Sequence, residues 1–333
     1  MSLSEHIADL LNSEQLSQSW HLNYGISKDR VSSLTSKPQD KNSFLNPKSE
    51  TATTLFILGN MGQWIQVNRS GEPPRNSRGW NPAFFESICR RYANSNTSLN
   101  VMTPLRSWIA NLLNISVEAT DDGVLLFECE MRNSALSVGN DLCPISFLET
   151  AQQSWCLQDA IVLLPKIKCL VVIESKLCSD LSRSTSEFPL ISQAIRGWES
   201  AFLLTRGRES FFHGWDFKSI LLCPRKSFEY QGTYYSFVFR DPTNHVAQYK
   251  NILENEYSHK MNRELFDNYF EEFQASVSTS TYVVFWDDLA RQISLDENWI
   301  DSYLSQVQEV CRRDGNAIYN AAANRFRLAG IEI

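Results

Sequence analysis

The run Cys156–Lys176 reads C-L-Q-D-A-I-V-L-L-P-K-I-K-C-L-V-V-I-E-S-K. Two apolar segments, Ala160–Leu164 and Cys169–Ile173, are rich in Ile, Val and Leu, and Pro165-Lys166-Ile167-Lys168 separates them. Segments of this length and composition read as buried strands, and the break between them as a hairpin turn. The midpoint between positions 159 and 174 falls between Lys166 and Ile167, inside the turn. An antiparallel hairpin therefore sets Asp159 opposite Glu174 at its open end, where facing residues sit roughly 4.5–5.5 Å apart. Lys176, two residues past Glu174, falls on the same face. Two carboxylates and one ammonium converge at the end of a buried hairpin.

That convergence needs a reason. Two carboxylates about 4 Å apart repel by roughly 4 kcal/mol at an effective dielectric near 20. Either one carboxyl holds a proton or a cation sits between the two. A hard divalent ion answers this, since Mg²⁺ takes one or two protein carboxylates and keeps water or phosphate oxygens in its remaining positions. Such an ion polarises a phosphoryl oxygen and acidifies a bound water. A neighbouring lysine orients that water or balances transition-state charge.

An Asp, a spacer and Glu-x-Lys at the ends of hairpin strands resembles the PD-(D/E)xK nucleases, the restriction-endonuclease-like fold. Here the motif reads Gln158-Asp159 … Glu174-Ser175-Lys176, with Gln158 where the family has proline. Family members often follow the hairpin with a helix carrying a glutamine that faces the site. Ser186–Thr205 fits a helix, with Ile191, Ala194, Ile195, Trp198, Ala201 and Phe202 on one stripe and Gln193 off it. The resemblance covers roughly residues 123–224. It implies Asp159 and Glu174 as ligands of Mg²⁺ or Mn²⁺, with the Ser175 carbonyl as a third. It implies Lys176 as the group that positions water or balances charge, and Gln193 as the group that orients Lys176 or the water. In this family a helix before the sheet often adds an acidic residue, for which Glu86 is a candidate; a solvent-facing Glu86 is the alternative. Glu128, on the segment Val124–Met131 that reads as a neighbouring strand, is another candidate ligand. The implied setting is restriction, repair or defence against phage.

Outward from the hairpin, Ser219–Cys223 reads as a fourth core strand and Tyr234–Phe239 as a further one. Asn81–Tyr92, Pro104–Leu113 and Pro144–Trp155 read as helices. The polar stretch 27–54 reads as a loop or linker, and Ser2–Leu16 as a short amphipathic helix. After Pro242 the pattern is mostly helical: His245–Phe273, a short strand Tyr282–Trp286, then Asp287–Ile293 and Trp299–Phe326. The expected fold is α/β, a central mixed sheet flanked by helices with a helical C-terminal extension. Its divisions are 1–79, a nuclease-like core over 80–241, and 242–333.

Composition bounds the function. The net charge is −7 with a pI near 5.4, which leaves no overall basic footprint for nucleic acid. Residues 160–230 are an exception, with ten Lys and Arg against seven Asp and Glu. Among them Lys166, Lys168, Arg183 and Arg196 are candidate phosphate contacts, ordinary surface scatter being the alternative. The eight cysteines form no C-x-x-C and the five histidines no H-x-H or H-E-x-x-H. The cysteines read as small buried hydrophobes of a reducing cytosol, and zinc or His-based metal chemistry is not expected. No membrane span or leader is read, so a cytoplasmic protein is expected. The function expected is metal-dependent cleavage of nucleic acid, DNA favoured over RNA, by an endonuclease acting alone, as a homo-oligomer or with a partner protein. The competing readings are a non-catalytic interaction protein that keeps the fold and a different metal hydrolase on an α/β sheet.

Overall fold

The computed structural model describes residues 50, 53, 54 and 58, then 103–121, 123–139, 142, 157–177, 181, 192–229, 233–257, 262–286, 288 and 289. Within them lies a five-stranded mixed sheet in the order β1-β2-β3-β4-β5. The strands are β1 (Val124–Glu130), β2 (Leu157–Leu164), β3 (Cys169–Ser175), β4 (Asp216–Cys223) and β5 (Thr281–Phe285). β1, β2 and β3 pair antiparallel, whereas β3, β4 and β5 run parallel.

The hairpin has the register its symmetry requires, from Leu164↔Cys169 to Ala160↔Ile173. Its turn is a 3₁₀ segment, Pro165–Ile167, closed by Lys168 in the left-handed region at φ 50°, whose N–H donates to the Pro165 carbonyl. Every residue of β3 is buried. Such a strand must be apolar on both faces, which explains its unbroken Ile, Val and Leu. It also makes a charged group at its end costly unless paired.

The helix after the hairpin, α3 (Gln193–Arg206), follows α1 (Thr103–Leu113) and α2 (Arg132–Val138) in the chain. Ser192 caps α3: its backbone is extended and its Oγ accepts from the Ile195 N–H. The helix lies against the sheet face of Leu126, Ile161, Leu163, Leu170, Val172 and Leu221. The expected stripe of Ala194, Ile195, Trp198, Ala201 and Phe202 is buried. The helix starts at Gln193 rather than Ser186, because Ser192 takes the capping conformation and ends any helical run before it.

Three further expectations are corrected. Tyr234–Phe239 is not a strand but most of the helix α5 (Tyr234–Arg240), which follows α4 (Arg225–Glu229). It buries Tyr235, Ser236, Val238 and Phe239 and exposes Phe237 and Arg240. That is helical spacing, so packing overrode the β propensity of its aromatic residues. The single helix expected over His245–Phe273 is two helices, α6 (Pro242–Tyr257) and α7 (Arg263–Ser280), the second capped by Asn262, whose Oδ1 accepts from the Leu265 N–H. On α7, Phe266, Tyr269, Phe270, Phe273 and Val277 form the buried stripe, and the Tyr269 and Phe273 rings meet Phe202 of α3. Finally, Glu50, Thr53, Thr54 and Leu58 are helical, so the loop read over 27–54 does not reach its expected end. Residues past 242 also supply β5 to the same sheet. Ser2–Leu16, Asn81–Tyr92, Pro144–Trp155 and Trp299–Phe326 lie outside the described residues.

Cys169 and Cys223 are buried free thiols, and burial pushes the Cys169 pKa up to about 12. Among the described residues no helix is long and apolar enough to cross a membrane.

Candidate active site

The site forms where the hairpin ladder ends. Ala160↔Ile173 is its last pair. One residue further out, Asp159 Oδ2 accepts the Ser175 N–H at 2.7 Å, a side chain taking over where the β2–β3 pairing stops. β3 alternates Leu170, Val172 and Glu174 onto the face that α3 covers. Glu174 Oε1 therefore meets both Lys176 Nζ, at 2.7 Å, and the Gln193 side-chain amide, which donates at 2.5 Å. The backbone of Lys176 is held on both sides. Its N–H donates to the Leu222 carbonyl of β4, and its carbonyl accepts from Trp286 Nε1 just after β5.

A third carboxylate arrives from a part of the chain that sequence reasoning assigned to a linker. Glu50 Oε1 accepts the Leu177 N–H at 3.0 Å and its Oε2 lies 3.4 Å from Lys176 Nζ. Glu50 is on a helical stretch with Thr54 and Leu58, both fully buried, and Thr54 Oγ1 donates to the Glu50 carbonyl. The four-residue spacing of Glu50, Thr54 and Leu58 was the available signal. Without it, a Ser-, Lys- and Pro-rich surrounding hid the residue. Glu86, the helix carboxylate named from the resemblance, lies outside the described residues.

Glu174 and Lys176 are 7% and 4% exposed. Burial alone would lower the Lys176 pKa. The Glu174, Glu50 and Asp159 carboxylates outweigh burial and hold it well above the ordinary lysine range. The cluster therefore keeps its ammonium, and three carboxylates against one ammonium leave a formal charge of −2.

The other candidates divide. The β1–β2 register, Phe127 opposite Ala160 and Cys129 opposite Gln158, brings Glu128 level with Asp159; its side chain lies outside the described residues. Arg196 is one turn beyond Gln193 on α3, half-buried, and its Nε has no hydrogen-bond partner among the described residues. Lys166 and Lys168 are not brought to the site. They occupy the turn at the opposite end of the hairpin, roughly 20 Å away at about 3.3 Å per residue. There Lys166 Nζ donates to the Glu118 carbonyl and faces Asp121. Arg183 lies outside the described residues.

The arrangement offers hard oxygen donors, the kind a divalent cation selects. In this geometry several already hold protein donors, and no His, Cys, Asp or Glu group among the described residues forms a ready metal cage. No family model, no curated protein and no solved structure matches this chain.

Proposed function

We propose that the protein is a metal-dependent nuclease that hydrolyses phosphodiester bonds of nucleic acid, with DNA the favoured substrate. One observation carries this reading. Asp159, Glu174 and Glu50 converge on the buried Lys176, at the end of strands that are otherwise apolar. A purely structural chain end has no need of three carboxylates there. Asp159, Glu174 and the Ser175 carbonyl would hold Mg²⁺ or Mn²⁺, and Glu50 takes the place expected of an acidic residue from a preceding helix. When bound, the ion polarises a phosphoryl oxygen and acidifies its water.

The remaining work falls to the chain itself. Lys176 keeps its proton and sets a fixed positive charge beside the carboxylates, where it balances charge developing on an attacked phosphate. Gln193 fixes the orientation of Glu174, and the Ser175 N–H fixes that of Asp159. These contacts preorganise the site before substrate arrives. Arg196, one turn along α3, is the candidate contact for a backbone phosphate. The motif resemblance to restriction-endonuclease-like enzymes adds a role in restriction, repair or phage defence, by analogy alone.

The test is cleavage of plasmid, linear and single-stranded DNA and of RNA with Mg²⁺, Mn²⁺ or EDTA, beside Asp159→Asn and Lys176→Ala checked for folding. Metal-dependent cutting lost in both variants is expected. A second reading, an interaction protein with a structural ion cluster, is favoured by one feature: Glu174 Oε1 already holds both Lys176 and Gln193. Absence of cutting on every substrate, with no Mn²⁺ binding by calorimetry, would put that reading ahead.

A further inference from the structure

Behind the site, His245 of α6 is packed against the start of α3. Its Nε2 is 2.9 Å from Ser192 Oγ and 3.4 Å from the Tyr234 hydroxyl. The residue is 7% exposed, and the Trp198 and Tyr234 rings meet it edge-on, with centroids at 6.3 and 5.7 Å. A serine and histidine at this distance have the spacing of a nucleophile and its base. Ser192 does not suit that role, because it is 2% exposed and its oxygen already accepts the Ile195 N–H as the cap of α3.

Ser192 Oγ spends a lone pair on Ile195, so its own hydrogen is available to Nε2. The Tyr234 hydroxyl approaches the same nitrogen. Either imidazole tautomer satisfies the contact with Ser192, because a hydroxyl both donates and accepts, and the ring nitrogen on the other side is Nδ1. That Nδ1 is buried with no partner among the described residues. The hydrogen bonds of the ring among the described residues are thus made at Nε2, which faces Ser192 and Tyr234. The residue after Ser192 is Gln193, whose amide reaches Glu174. A continuous chain of contacts thus runs from α6 through the cap of α3 to the carboxylate beside Lys176.

We infer that His245 is a positioning residue: it fixes the Ser192 cap so that Gln193 meets Glu174 in the site. Its effect on cleavage rests on the nuclease reading, whereas its effect on Gln193 does not. Three variants test it: His245→Leu, which removes the hydrogen-bond partner of Ser192; His245→Gln, which restores a neutral polar one; and Ser192→Ala. Two quantities are read in each. One is the side-chain amide resonance of Gln193 in labelled protein, assigned with Gln193→Ala. The other is kcat and KM for DNA cleavage with Mn²⁺.

In His245→Leu and Ser192→Ala the Gln193 amide is expected to move toward the position of a free glutamine. kcat should fall on the order of tenfold or more with KM little changed. His245→Gln should retain both, and the double variant should be no worse than the more severe single one. An unmoved Gln193 amide in folded His245→Leu, or strictly additive losses with Ser192→Ala, would overturn the inference. If His245→Leu does not fold, His245→Ala carries the same comparison. If the parent protein cuts nothing, the nuclease reading falls while the amide signal still decides the role of His245.

Discussion

Replacing Lys176 by Met removes the ammonium from the cluster while filling nearly the same volume. Nζ is 2.7 Å from Glu174 Oε1 and 3.4 Å from Glu50 Oε2, with little of either ion pair exposed. At an effective dielectric near 20 those attractions amount to roughly 6 and roughly 5 kcal/mol before desolvation. Desolvation of the ions cancels much of this in the native protein. Removing one partner of a buried pair nevertheless leaves the other uncompensated, at a net loss of about 3–5 kcal/mol. Urea unfolding followed by tryptophan fluorescence should show that loss at neutral pH with an unchanged denaturant slope. Adding Glu174→Gln to the variant should recover part of it, since one of the uncompensated carboxylates is then gone. Manganese should stabilise the Lys176→Met protein by about 2.7 kcal/mol at a hundredfold excess over its Kd, and the parent by less at the same concentration. The parent also has an alkaline signature. Because its folded-state pKa is raised, Lys176 contributes fully below about pH 10.5 and its contribution is lost as pH rises beyond that. A Lys176→Met protein within about 1 kcal/mol of the parent, or a loss untouched by Glu174→Gln, would refute the charge argument.

Other outcomes are expected. Arg132 and Glu199 form a pair with no exposure, supported by the Tyr249 and Tyr269 hydroxyls on Glu199 Oε1. Arg132→Met should cost about 3–5 kcal/mol, and Arg132→Met with Glu199→Leu less, by denaturant titration. Burial depresses the His245 pKa from 6.5 to about 4, so the unfolded chain binds its proton first. Stability should fall by roughly 3 kcal/mol as pH drops from 6.5 to 4, and His245→Gln should flatten that part of the curve. At Gly207 a Cβ would stand 2.4 Å from the Val138 carbonyl oxygen, so Gly207→Ala should cost about 1–3 kcal/mol by calorimetry. Asp159→Asn keeps an oxygen for the Ser175 N–H. It should stay within about 1 kcal/mol of the parent in stability and lose metal-dependent cleavage.

The hairpin was legible because its signals are local and agree with one another. Apolar runs, a proline-containing break and a symmetric spacing all specify one register, and a slip of one residue would turn the apolar set to the wrong face. The start of α3 was less legible. Apolar periodicity extends back to Ile191, whereas the boundary is set by the Ser192 hydroxyl and its partner on α6. Tyr234–Phe239 was misread because aromatic and β-branched residues suit either element, and only the surrounding core selects the helix. Lys166 and Lys168 carry the right charge and sit at the wrong end of the hairpin, which composition does not register.

By itself the sequence determined the central hairpin, its register, and the meeting of Asp159, Glu174 and Lys176 at one end. Those residues lie within a single supersecondary unit, where alternation and turn length settle who faces whom. Tertiary structure alone decided that Glu50, 126 residues before Lys176, brings a third carboxylate to the lysine. It also decided that Trp286 pins the lysine backbone and that His245 backs the cap of α3. Each of those contacts joins segments that share no periodicity, so they become neighbours only once burial of the apolar sheet draws the helices and β5 around it.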